Sequence, residues 1–159
     1  MKNLGILLRE LERSERLLAL ELESIARDHP TDPEIHYLAA DLAAWSRNHA
    51  SAVRSLAVAR GVESEAAFDT QAAVGPSSVF ETPARELPAS LLLVAELCGV
   101  CQRVAGLTMQ WEILGQGAAA TNDSECSALV DQCLSQAERQ FEWARNLVRT
   151  LSPQALSAG

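Results

Sequence analysis

Apolar residues recur along this chain every three or four positions in four long runs, the spacing that puts them on one face of an α-helix. The first run predicts a helix over residues 4–29, with Leu4, Leu8, Leu11, Leu18, Leu22 and Ile25 on one side. Pro30 closes it. Thr31-Asp32-Pro33-Glu34 then offers a hydroxyl cap, an early proline and a glutamate three residues after the cap, the signature of a new helix start. The second helix is expected over 32–60, ahead of Gly61, with Ile35, Leu38, Leu42, Trp45, Val53 and Leu56 facing inward. A turn this short makes the two helices antiparallel neighbours.

Two polar positions interrupt these stripes near their middles. Glu15 breaks the first, and His49 occupies the missing step between Trp45 and Val53 in the second. With the hairpin turning near residues 30–31, Glu15 falls opposite position 45 or 46, and His49 follows one turn later on the same face.

The third run spans about 88–115, with Val94, Leu97, Cys101, Val104, Leu107, Trp111 and Leu114 inward. Leu91, Leu92, Cys98, Val100, Ala105, Met109 and Ile113 extend its apolar character well beyond one face, so it is either the most buried helix or half of a subunit interface. Asn122-Asp123-Ser124-Glu125 repeats the capping pattern and opens a fourth helix over 123–151, stopped by Pro153. Between the second and third helices, residues 62–87 form an acidic crossover bearing Gly, Pro and Ser, long enough to return along the bundle with a minor helical turn or two.

Size and composition narrow the picture. A chain of 159 residues is one domain by default, and scarce aromatics with abundant Leu and Ala favour an all-α class. The formal net charge is −8, and half of it sits in residues 61–87, where Glu63, Glu65, Asp69, Glu81 and Glu86 face Arg85 alone. Lys2 is the only lysine and no helix carries a basic stripe, which argues against nucleic acid and membrane surfaces as partners. The opening MKNLGILLRELERSE turns charged too early for a signal-peptide core, and no run is expected to reach the length of a membrane span. A cytoplasmic protein is expected. All four cysteines lie inside helical runs and read as reduced thiols. Cys98-Gly99-Val100-Cys101 has redox spacing but sits too deep in its helix for the dipole to acidify a thiol.

Four helices of similar length, short loops at both ends and one long crossover resemble the ferritin-like superfamily. The rhythm of WEILGQGAAATND before a helix ending in LSPQAL is similar to uncharacterised bacterial members of that fold. The resemblance implies a ferritin-like four-helix bundle with the long crossover between helices 2 and 3. It also implies where metals would sit: one Glu from the first helix and a Glu-x-x-His pair from the second. Glu15 matches the first role, whereas Ser46-Arg47-Asn48-His49 keeps the histidine and puts serine in place of the glutamate. In the second hairpin, turning near 118–122, the carboxylate position falls near Cys101 or on Glu96, and the pair falls on Glu138-Arg139-Gln140-Phe141 with Phe in place of His.

The ligand candidates are therefore Glu15, His49, Cys101 and Glu138. They make one mixed site at most, for iron, manganese or zinc. Without metal, the same residues read as a Glu15–His49 hydrogen bond or ion pair in a polar layer. His29 suits a helix-end role, His36 a surface or edge role and Trp45 and Trp111 the core, while Trp143 is the better interface candidate. The expectation is a non-catalytic or metal-degenerate bundle with no cofactor and no catalytic residue. It would act as a homodimeric interaction module, with a further protein partner open. The alternatives are a metal-dependent oxidoreductase and a bundle with a small-molecule pocket beside His49.

Overall fold

A computed structural model of the chain describes residues 2–62 and 79–158. Among them are four long helices, α1 (Lys2–Asp28), α2 (Pro33–Ala59), α3 (Ala89–Ala120) and α4 (Ser124–Ser157), with one 3-10 turn at Ala84–Glu86 and no strand. Most of the expected crossover falls on residues 63–78, which lie outside the described residues.

Both helix starts are capped one residue later than the sequence pattern suggested. The carboxylate of Asp32, rather than the Thr31 hydroxyl, accepts the Ile35 N–H at 3.2 Å, with Pro33 opening α2. Asp123 likewise accepts the Cys126 N–H at 3.0 Å and starts α4. In both cases the cap is the Asp, whose carboxylate also favours the positive end of the helix dipole. Replacing Asp32 with alanine is expected to cost about 1 kcal/mol in urea denaturation, while Thr31→Ala should be nearly silent; the reverse order would return the cap to Thr31.

Helices α2 and α3 are each closed by a residue in the left-handed conformation. Gly61 (φ 67) follows α2 in the left-handed conformation, with Val62 N–H bonded to the Ala57 carbonyl and Gly61 N–H to that of Val58. Asn122 (φ 54) does the same for α3, with Asp123 N–H on Ala118 and Asn122 N–H on Ala119. Paired closures of this kind satisfy carbonyls that a helix end leaves open, and Asn is the residue after Gly that best tolerates the geometry.

Helix α3 consequently runs to Ala120, past the expected end near 115. Gly115 is not an exit but a contact point: a Cβ there would meet Val130 Cγ1 at 3.1 Å, so its absence lets α3 and α4 approach. Helix α4 also continues through Pro153 to Ser157. The proline lacks an N–H for the Arg149 carbonyl, but on a half-exposed last turn water can satisfy that group.

Polar cross-links reveal the helix directions. Glu23 meets Arg47 and Glu12 meets Arg54 between α1 and α2. Glu21 meets Arg103, and His29 meets Glu96, between α1 and α3. Ser46 meets Gln140 and Arg60 meets Asp123, between α2 and the middle and start of α4. In each helix pair, rising numbers on one side meet falling numbers on the other. The neighbouring pairs α1·α2, α1·α3 and α2·α4 are therefore antiparallel, as is the short-looped α3·α4 hairpin. Helix α2 ends beside the start of α4, whereas α3 begins beside the end of α1, so the connection between α2 and α3 joins opposite ends of a four-helix bundle.

The core is built mainly of Leu, Ala and Val around the fully buried Trp111. Contrary to the expectation of no such run, α3 is long and apolar enough to cross a membrane by length and composition, with a mean hydropathy of 1.5 over 18 residues. In the bundle its apolar surface divides between a buried stripe, including Leu97, Val104, Leu107 and Trp111, and an outward face carrying Met109 and Ile113.

Candidate functional site: a polar layer in the core

Glu15 and His49 meet. They face each other from the middles of α1 and α2, with 0% and 3% of their surfaces exposed. His49 Nδ1–H donates to Glu15 Oε1 at 3.0 Å, one turn beyond the position 45–46 level expected for Glu15. Trp111 on α3 donates its indole N–H to the same oxygen at 2.9 Å, and its ring meets the imidazole edge-on with centroids 6.1 Å apart. Gln136 on α4 closes the layer by accepting from His49 Nε2–H through Oε1 at 2.5 Å. All four helices thus contribute to one network.

A buried imidazolium is costly in isolation, and burial does push the His49 pKa down. Hydrogen bonding to Cys133 and to Glu15, with the negative charge of Glu15, outweighs that effect and raises it to about 10. His49 is therefore a cation at neutral pH with both ring N–H groups donated, and Glu15 Oε1 receives two donors. Glu15 Oε2 is buried without a hydrogen-bond partner.

One turn away, Ser46 occupies the level where the resemblance implies a carboxylate. Gln140 of α4 donates its amide N–H groups to Ser46 Oγ and to the Leu42 carbonyl, each at 2.9 Å. Both side chains are fully buried. A neutral amide–hydroxyl pair here needs no counter-ion, whereas carboxylates would.

The other two candidates are not brought to this layer. Glu138 is exposed, because two residues along a helix from the buried Gln140 is more than half a rotation. Cys101 lies ten positions before Trp111, about 15 Å along α3 at 1.5 Å per residue. The turn between α3 and α4 falls on residues 121–123, and the α1–α3 register is marked by Glu21–Arg103 and His29–Glu96. Trp111, rather than Cys101, stands opposite Glu15. Burial, with Cys98 nearby, pushes the Cys101 thiol up to about 11, which leaves it protonated and a poor nucleophile. Glu96, the other carboxylate option, lies at the bundle end against His29 at 3.3 Å.

The remaining singled-out side chains serve packing. His36 Nδ1–H donates to the Ala26 carbonyl at 2.7 Å and so ties α2 to the last turn of α1. Trp143 packs partly buried against the core.

These residues do not suit a two-metal carboxylate centre. Both nitrogens of His49 are engaged, one glutamate oxygen remains, and among the described residues no group of three or more His, Cys, Asp or Glu is arranged to hold a metal ion. Nucleophilic chemistry is equally constrained: Cys133 adjoins His49 but is buried, with 1% of its surface exposed. The arrangement can hold a proton and fix helix register. No protein-family model, curated protein or solved structure matches the chain.

Proposed function

We propose that this protein is a metal-degenerate, ferritin-like bundle that works as a non-catalytic interaction module by pairing with a second copy through the outer face of α3. The observation that carries this reading is the exposure of Met109 and Ile113, 56% and 57%, one turn apart on that face. Ala105, Gly106 and Gly117 flank them, and a Cβ at Gly106 or Gly117 would meet nothing within 4 Å. Small residues beside two large apolar ones let a second helix approach closely and cover both. The ferritin-like part of the proposal is supported by the antiparallel neighbours, by the α2–α3 connection between opposite ends, and by Glu15 and His49 at mid-bundle.

Light scattering coupled to size-exclusion chromatography tests the pairing. The wild-type chain is expected to run as a dimer at micromolar concentration and Met109→Glu as a folded monomer, since a buried unpaired carboxylate disfavours association strongly. A wild-type monomer over the whole concentration range removes the proposal.

A further inference from the structure

Two thiols stand apart from the polar layer. Cys98 and Cys101 lie one turn apart within α3, and both are free and half-buried. Side chains three residues apart on a helix share a face, with Cβ atoms about 5–6 Å from each other. The charge of one thiolate is felt at the other, so the two sulfurs act as a pair.

That spacing decides what the pair can do. A disulfide needs Cβ atoms about 3.5–4.5 Å apart, so joining the two would distort the interior of a 32-residue helix. An ion held between two thiolates needs sulfurs about 4.6 Å apart, twice a metal–sulfur bond of about 2.3 Å. Helical side chains lean toward the preceding turn, and rotation about χ1 brings the sulfurs to that distance without moving the backbone.

Ligand number and type then select the ion. Among the described residues no third His, Cys, Asp or Glu joins the pair to form a metal-holding group, so a tetrahedral zinc site is not completed. Glu142 of α4 lies near Cys101, but it is exposed and pairs with Arg145 at 3.9 Å. Two thiolates without further ligands suit a soft monovalent ion that accepts two-coordinate geometry, as Cu(I) does.

We infer that Cys98 and Cys101 hold one Cu(I) ion between their sulfurs. Both thiols lose their protons to solvent, two copper–sulfur bonds form, and no electron moves. Burial keeps both thiols protonated at neutral pH, so each ion bound releases two protons. The site is complete within one chain and shares no ligand with the Glu15–His49 layer.

Anaerobic titration of the reduced chain with Cu(I), in competition with the chromophoric chelator bicinchoninate, tests the site. One ion per chain is expected, with two protons released and two sulfur neighbours in the copper X-ray absorption spectrum. Cys98→Ser and Cys101→Ser should each abolish this binding and keep the helical spectrum, because neither side chain is in the fully buried core. Zn(II) should fail to displace the bound Cu(I). No Cu(I) uptake overturns the inference, as does one ion shared between two chains or nitrogen neighbours in the wild-type spectrum. Uptake undiminished in both serine variants moves the ion to Cys126 or Cys133 and overturns it equally.

Discussion

Glu15→Ala should lower the unfolding free energy by about 3–5 kcal/mol at neutral pH, the usual cost of removing one partner from a buried charged pair. The substitution strips the acceptor from the imidazolium of His49 and from the indole N–H of Trp111, with no water to replace it at 0% and 3% exposure. Most of that cost is the donors left unpaired rather than the worth of the pair itself. Removing both charges together should therefore restore much of the loss: Glu15→Met combined with His49→Leu replaces the pair by apolar groups of similar volume in a core already rich in Leu. Urea denaturation of the wild type, the single variant and the double variant measures this. A double variant less stable than Glu15→Ala would mean that the charges, not the shape of the site, hold the bundle together. A single variant within about 0.5 kcal/mol of wild type would show that Glu15 leaves the core in solution.

The second large effect is a fall in stability on the alkaline side of neutrality. The His49 pKa is raised from 6.5 to about 10 in the folded chain, with burial opposing and Cys133 and Glu15 favouring the cation. Between those values the native state holds a proton that the unfolded state has released, so stability drops as pH rises. The contribution of His49 is complete below about pH 6.5 and gone above about 10, and its size is on the order of a few kcal/mol. The groups facing the imidazole are Glu15 from α1, Trp111 from α3 and Gln136 and Cys133 from α4, of which Glu15 and Cys133 are ionisable. Denaturation midpoints from pH 6 to 10 should decline in wild type and stay much flatter in His49→Gln, which carries no ionisable ring. Equal slopes in the two proteins would assign the decline to Cys98, Cys101 and Cys126, whose thiols burial holds above their usual range.

The two halves of the polar layer differ in how far they were readable. Glu15 and His49 stood out because each replaced an apolar residue on a helical stripe, and the short connection at residues 29–32 leaves little freedom in how α1 and α2 align. The partners from the other hairpin were concealed by their types. Trp111 sat on an inward stripe and read as core, although a buried indole N–H needs an acceptor and Glu15 was the nearest stripe polar group. Gln140 lay within the Glu138-Arg139-Gln140-Phe141 segment, but choosing which of those residues points inward required the register of α4. Across α1–α3, the register marked by Glu21–Arg103 and His29–Glu96 sets Trp111 rather than Cys101 beside Glu15.

Local rules thus determined the helices, their approximate ends and the antiparallel α1–α2 hairpin, because apolar periodicity, proline and capping act within a few residues along the chain. Tertiary structure decided the rest. Which side chains meet across α1–α3 and α2–α4 depends on long-range register, and a slip of one helical turn exchanges one ligand set for another. The same register turned Glu138 to solvent, made Trp111 and Gln136 the partners of the Glu15–His49 pair, and opened a pocket at the bundle end, where the four helix ends leave apolar side chains uncovered.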